Sequence, residues 1–176
     1  MTATPHTTLT SAREAAVRRH VYYYTHLPAS TARPEETLAG DPSAWLPPPA
    51  ERSDDAPDQW LVELHAEGAV PDAVAAQTTR VTVDAARTGA DWIVRPVRWQ
   101  GDRLERLFPV LSGEVVLAAL PEHGWHLSLI GEYQAPLSVV GEAADRLYGH
   151  RIAEAAVRRF VLAIAERLAS VPAGER

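Results

Sequence analysis

Apolar and polar residues alternate in short runs over most of the chain, then shift to a helical spacing near the end. The run Val21-Tyr22-Tyr23-Tyr24-Thr25 is β-branched and aromatic and predicts a strand, closed by Pro28-Ala29-Ser30. Residues 31–39, with Pro34 followed by two glutamates, carry the first-turn signals of a short helix that Gly40-Asp41-Pro42 stops. A second small helix is expected over 41–46, and the proline- and acid-rich stretch 47–58 reads as a solvent loop. Beyond it, period-2 alternation predicts strands over 60–66, 78–85, 91–100, 112–120 and 125–133. Their short connections favour antiparallel neighbours. Period 2 stops at Pro136, and the Ala-rich remainder to about residue 171 is an amphipathic helix.

This order is an α+β plan in which a curved antiparallel sheet wraps around a long C-terminal helix, with two short helices after the first strand. One domain over residues 12–171 is expected, between polar tails at 1–11 and 172–176. Of the residues, 46% are hydrophobic, 23 are acidic and 17 basic, for a net charge of -6. That balance argues against a nucleic-acid partner, which needs clustered cations. No cysteine is present, so thiolate chemistry and Cys-ligated metals are excluded. All basic residues are arginine, which removes lysine Schiff-base and P-loop chemistry. The longest apolar run, 115–120, is far short of a membrane span, and no apolar leader opens the chain, so a cytoplasmic protein without membrane insertion is expected. No nucleotide or dinucleotide fingerprint is found, and no cofactor is expected.

Several motifs give the plan a family. The segment Asp41-Pro42-Ser43-Ala44-Trp45-Leu46-Pro47, the strand Pro96-Val97-Arg98-Trp99, then Leu107-Phe108-Pro109, and above all Gly131-Glu132-Tyr133-Gln134-Ala135-Pro136-Leu137 leading into His150-Arg151-Ile152-Ala153-Glu154-Ala155 resemble the START-like helix-grip (SRPBCC, polyketide cyclase-like) superfamily. The resemblance is to a bacterial subgroup without an assigned activity and runs from about residue 21 to the end of the helix. It implies a helix-grip fold with a cavity between sheet and helix.

On a helical wheel Val139, Ala143, Val157, Val161, Ile164 and Leu168 form one stripe, with Arg151, Arg159 and Glu166 opposite. The same projection puts His150 and Glu154 on the apolar face, toward the cavity, unless Gly149 kinks the helix. They either pair with each other or with Arg146 and Arg151, or they act as polar anchor and general base. Arg95 alternates with Ile93, Val97 and Trp99 and so shares the core face; a guanidinium there needs a carboxylate such as Glu154, an anionic ligand head, or an escape to the sheet edge. Trp60, Trp99, Tyr23 and Tyr133, with Trp125, either wall a cavity or fill the core. His123 and His126 are spaced as His-x-x-His, but in a hairpin turn where the rings diverge, so no metal site is assigned.

Three functions are compatible with these residues. The first is a non-catalytic binder of a hydrophobic, lipid-like or polyketide-like small molecule, held by Arg95, Tyr133, Trp99, Tyr23, Trp60 and His150. The second is a cyclase or dehydratase of secondary metabolism with His150 and Glu154 as acid and base. The third is an interaction module with a filled interior.

Overall fold

The computed structural model describes residues 18–65, 76–101, 110–134 and 142–171, the side chains of 76, 77, 100, 101 and 142–150 excepted. The expected tails, Phe108 and Val139 lie outside the described residues. Strand β1 (Arg18–Leu27) is followed by helix α1 (Pro34–Ala39), a 3-10 turn (Pro42–Ala44) and β2 (Pro49–Arg52). Then come β3 (Gln59–His65), β4 (Ala76–Val83), β5 (Arg87–Thr88), β6 (Trp92–Gly101), β7 (Val110–Leu120), β8 (Gly124–Gln134) and helix α2 (Glu142–Ser170). The strands form one antiparallel sheet in the order β1-β8-β7-β6-β4-β3-β2, with β5 pairing β6.

Each predicted strand is present, and two strands appear that alternation did not predict. β2 lies inside the expected loop and pairs with β3 across an irregularity between Pro49 and Glu51. Proline removes ladder donors, so this segment serves only as an edge. β5 and β4 occupy the same side of β6, separated at residues 84–86, where the Asp84 amide donates to the Pro96 carbonyl (3.0 Å). The expected second helix over 41–46 is only the 3-10 turn, which Asp41 caps by accepting from the Ser43 amide at 2.8 Å.

Residues directly opposed in antiparallel strands share a face, so the registers trace which side chains line up across the sheet. One continuous inner row runs Arg19, Tyr133, Leu111, Trp99, Val81, Trp60, Arg52 from β1 to β2. The next row contains Val21, Gly131, Gly113 and Val97, and the one after it Tyr23, Leu129, Val115 and Arg95. The five central members of the first row are almost wholly buried. Helix α2 covers this face through Val157, Phe160, Val161, Ile164 and Leu168, and α1 covers part of it through Leu38.

Helix α2 runs without interruption through Gly149, and Arg151, Arg159 and Glu166 are exposed as the wheel predicts. Among the described side chains of this helix, those buried over 151–160 are Ile152, Ala153, Ala156, Val157 and Phe160, and those buried over 161–170 are Val161, Ile164, Ala165 and Leu168. On a wheel the second set is turned by roughly a quarter turn from the first. The stripe drifts because a straight helix crosses a curved sheet.

Candidate functional site

The inner row is the candidate site, and it is built by strand alternation alone. Trp60, Trp99 and Tyr133 fall at directly registered positions, with Val81 and Leu111 between them. Trp99 is fully buried and meets the edge of Phe160 from α2, with ring centroids 5.1 Å apart. Its indole Nε1 is buried and makes no hydrogen bond. An unsatisfied buried donor costs about 1–3 kcal/mol.

At the β1 end of the row, Tyr133 is fully buried, and the Arg19 guanidinium donates to its hydroxyl oxygen. Burial holds the Tyr133 phenol above its usual range; Arg19 pulls the other way, and the Glu154 carboxylate pushes it further up. Tyr133 is therefore a neutral phenol at physiological pH, polarised by a permanent cation. Alternation along β1 puts Arg19 on the same face as Val21 and Tyr23, a signal that sequence reasoning passed over. At the other end, Arg52 lies over the Trp60 ring at 4.8 Å.

Arg95 is buried on the inner face, as its alternation with Val97 and Trp99 requires. It stands four residues from Trp99 along β6, about 13 Å away, and so belongs to a different neighbourhood. Its Nη1 donates to the Ala39 carbonyl (3.2 Å), its guanidinium lies 5.7 Å from the Trp45 ring, and its Nε is buried without a hydrogen bond. Burial lowers its proton affinity, which Asp41 and Asp84 counteract. The carboxylates whose charge acts on Arg95 are thus Asp41 and Asp84, rather than Glu154, one of the candidate partners. The break between β4 and β5 is what brings Asp84 there. Arg95 also lines a cleft of about 290 Å³ together with Arg52, Asp58, Trp60 and Asp84.

Glu154 is exposed, against the expectation that it faces the sheet. The stripe is dominated by Val161, Ile164 and Leu168, late in the helix, and the drift leaves Glu154 outside the sector buried over 151–160. Its field still reaches Tyr133. The side chain of His150 lies outside the described residues. Tyr23 is half-buried, in the row of Arg95.

A groove of about 230 Å³ opens between β3 and α2, lined by Pro47, Leu64, His65, Phe160 and Ala163 among others. Phe160 lines this groove and also meets Trp99. Among the described residues, no group of three or more His, Cys, Asp or Glu side chains is arranged to hold a metal ion. Among them, too, no helix is long and apolar enough to cross a membrane.

An antiparallel sheet gripping one long C-terminal helix, with two short helical elements after the first strand, is the helix-grip fold. Among solved structures the chain is similar to the Zhui aromatase/cyclase from Streptomyces sp. R1128, at 21% identity and a TM-score of 0.50, over 86% of this chain and 92% of that one. It is also similar to the di-domain ARO/CYC StfQ from the steffimycin biosynthetic pathway, at 14% identity and a TM-score of 0.43, over 81% of this chain and 52% of that one. No protein-family model matches the chain, and no curated protein matches it in sequence.

Proposed function

We propose that the protein binds a hydrophobic small molecule between the sheet and α2, entering from the groove lined by Leu64 and Phe160 toward the inner row, whose side chains close on one another without it. The observation that carries this reading is the buried, unsatisfied Nε1–H of Trp99. A donor without an acceptor in an aromatic row is what a ligand carbonyl or phenol oxygen would complete. Tyr133, two strands away in the same row, is a second polar group, which burial keeps protonated. The groove between β3 and α2, which Phe160 lines beside Trp99, supports access from that side. Arg95, His150 and Tyr23 are further candidate contacts.

Calorimetric titration of the full chain with a tricyclic hydroxyanthraquinone tests this reading. Saturable binding of one molecule per chain is expected, weakened about fivefold in Trp99→Phe, the worth of one hydrogen bond. Absence of saturable binding, or equal affinity in the variant, refutes it.

A second reading is favoured by one further observation, the polarised neutral phenol of Tyr133 beside Arg19. Such a group can protonate a ketone oxygen, as a cyclase or dehydratase requires, with His150 and Glu154 as acid and base. The named activity of the Zhui protein agrees with that chemistry. Loss of one water from a poly-β-ketone thioester, followed by mass spectrometry and abolished in Tyr133→Phe, would support it; a substrate returned unchanged would leave binding as the function.

A further inference from the structure

The outer face of the sheet carries a second cluster, unrelated to the inner row. Alternation sends Tyr22, Tyr24 and His26 of β1 outward, and His26 is the registered partner of His126 on β8. The four rings form one connected group. Tyr22 stacks on Tyr24 at 5.8 Å and Tyr24 on His126 at 5.1 Å, and His26 meets His126 edge-on at 5.2 Å. Tyr22 and Tyr24 are about half exposed, although aromatic side chains of this size are usually covered.

Within this group the two imidazoles face each other through specific atoms. His26 Nε2 and His126 Nδ1 are 3.4 Å apart, and the other nitrogen of His126, Nε2, lies 3.3 Å from the Tyr22 hydroxyl. Two zinc–nitrogen bonds of about 2.0–2.1 Å at a tetrahedral angle hold their nitrogens about 3.3–3.4 Å apart. The pair is therefore already at chelating separation. Metal-bound histidine typically donates its remaining N–H to an oxygen acceptor, which fixes its tautomer and orientation. The Tyr22 hydroxyl stands where it can do that for His126. His123, the neighbour suggested by sequence spacing, has its Nδ1 at the Pro121 carbonyl (2.7 Å) and takes no part.

We propose that His26 Nε2 and His126 Nδ1 form a two-imidazole chelate for a divalent first-row transition ion, zinc or copper(II), with Tyr22 positioning His126. Imidazole nitrogen suits these ions, whereas magnesium and calcium select oxygen. The remaining coordination positions belong to water, because the cluster lies on the open face of the sheet. The site takes the ion in place of the proton that the two rings otherwise share.

The test is calorimetric titration of the full chain with zinc chloride near neutral pH. One ion per chain is expected, with affinity reduced about tenfold or more in His26→Gln and in His126→Gln. Tyr22→Phe should weaken binding by a smaller factor. His20→Gln, on the same face but beside Glu132, should leave it unchanged. Equal binding in both His variants, an equal loss in His20→Gln, or no saturable binding at millimolar zinc overturns the proposal. In the unaltered protein, zinc should shift the imidazole proton resonances of His26 and His126 selectively. Uniform shifts over all histidines would mean adventitious surface binding only and would overturn it too.

Discussion

Replacing Gly131 with alanine tests how closely β7 and β8 approach. Gly131 and Gly113 are registered partners in the second inner row. A Cβ on Gly131 would fall 2.8 Å from the Ser112 carbonyl oxygen and 3.0 Å from the Gly113 Cα; one on Gly113 would fall 2.6 Å from the Ile130 carbonyl oxygen. These neighbours are backbone and cannot swing away, so the strands themselves must part. Overpacking of this kind costs about 1–3 kcal/mol. Glycine to alanine at an unstrained position does the opposite, stabilising by about 0.4–1 kcal/mol through the unfolded chain. The sign of the effect therefore decides the question. For a chain of this size, about 1–3 kcal/mol lowers the melting temperature by about 2–12 °C, which circular dichroism resolves. Urea denaturation should show a lower midpoint at unchanged slope. Gly40→Ala is the milder comparison, since its Cβ would meet the Glu36 carbonyl oxygen of α1 at 3.2 Å, and it should cost less than Gly131→Ala. A Gly131→Ala protein as stable as the parent, or more so, refutes the close approach.

Two further outcomes follow from titration. Because the folded protein holds the Tyr133 phenol above its ordinary value of 10.0, the unfolded chain deprotonates first. This contribution to stability is complete below pH 10 and is lost as pH rises through the folded value, so Tyr133→Phe should flatten the alkaline fall in melting temperature. Asp41 is the opposite case: the side-chain and backbone hydrogen bonds from Ser43 and the charge of Arg52 hold its carboxyl below 3.8. Its contribution is present above that pH and is lost as pH falls through the folded value. Asp41→Ala should cost about 1 kcal/mol near neutrality and converge with the parent in acid, as followed by thermal melts across pH.

Alternation carried much of the fold, because one buried face imposes period 2 on a strand whatever its partners are. It placed Trp60, Trp99 and Tyr133 inward, and Arg95 with them. It could not find β2, whose proline and largely exposed side chains leave no face to read, nor β5, which is two residues long. Helical periodicity succeeded for Val157 to Leu168 and failed for Glu154, because the drift of the stripe is a property of the curved sheet beneath it. The covering of Arg95 by Ala39 and Trp45, and the meeting of His26 with His126, are encounters between distant segments. Nothing local announces them.

The segment from α1 through the 3-10 turn is gripped from three directions. Arg95 of the sheet holds the Ala39 carbonyl, Arg167 near the end of α2 holds the Ser43 carbonyl at 2.8 Å, and Arg52 of the edge strand reaches Asp41 at 3.2 Å. Leu38, Trp45 and Leu46 are buried between these holds. A short stretch of early chain is thereby knotted to the last turn of the final helix, 124 positions away for Ser43 and Arg167. Such a closure joins segments far apart in the chain and so carries a large loop entropy. Opening the end of α2 would release α1, so the two ends of the domain should unfold as one cooperative unit.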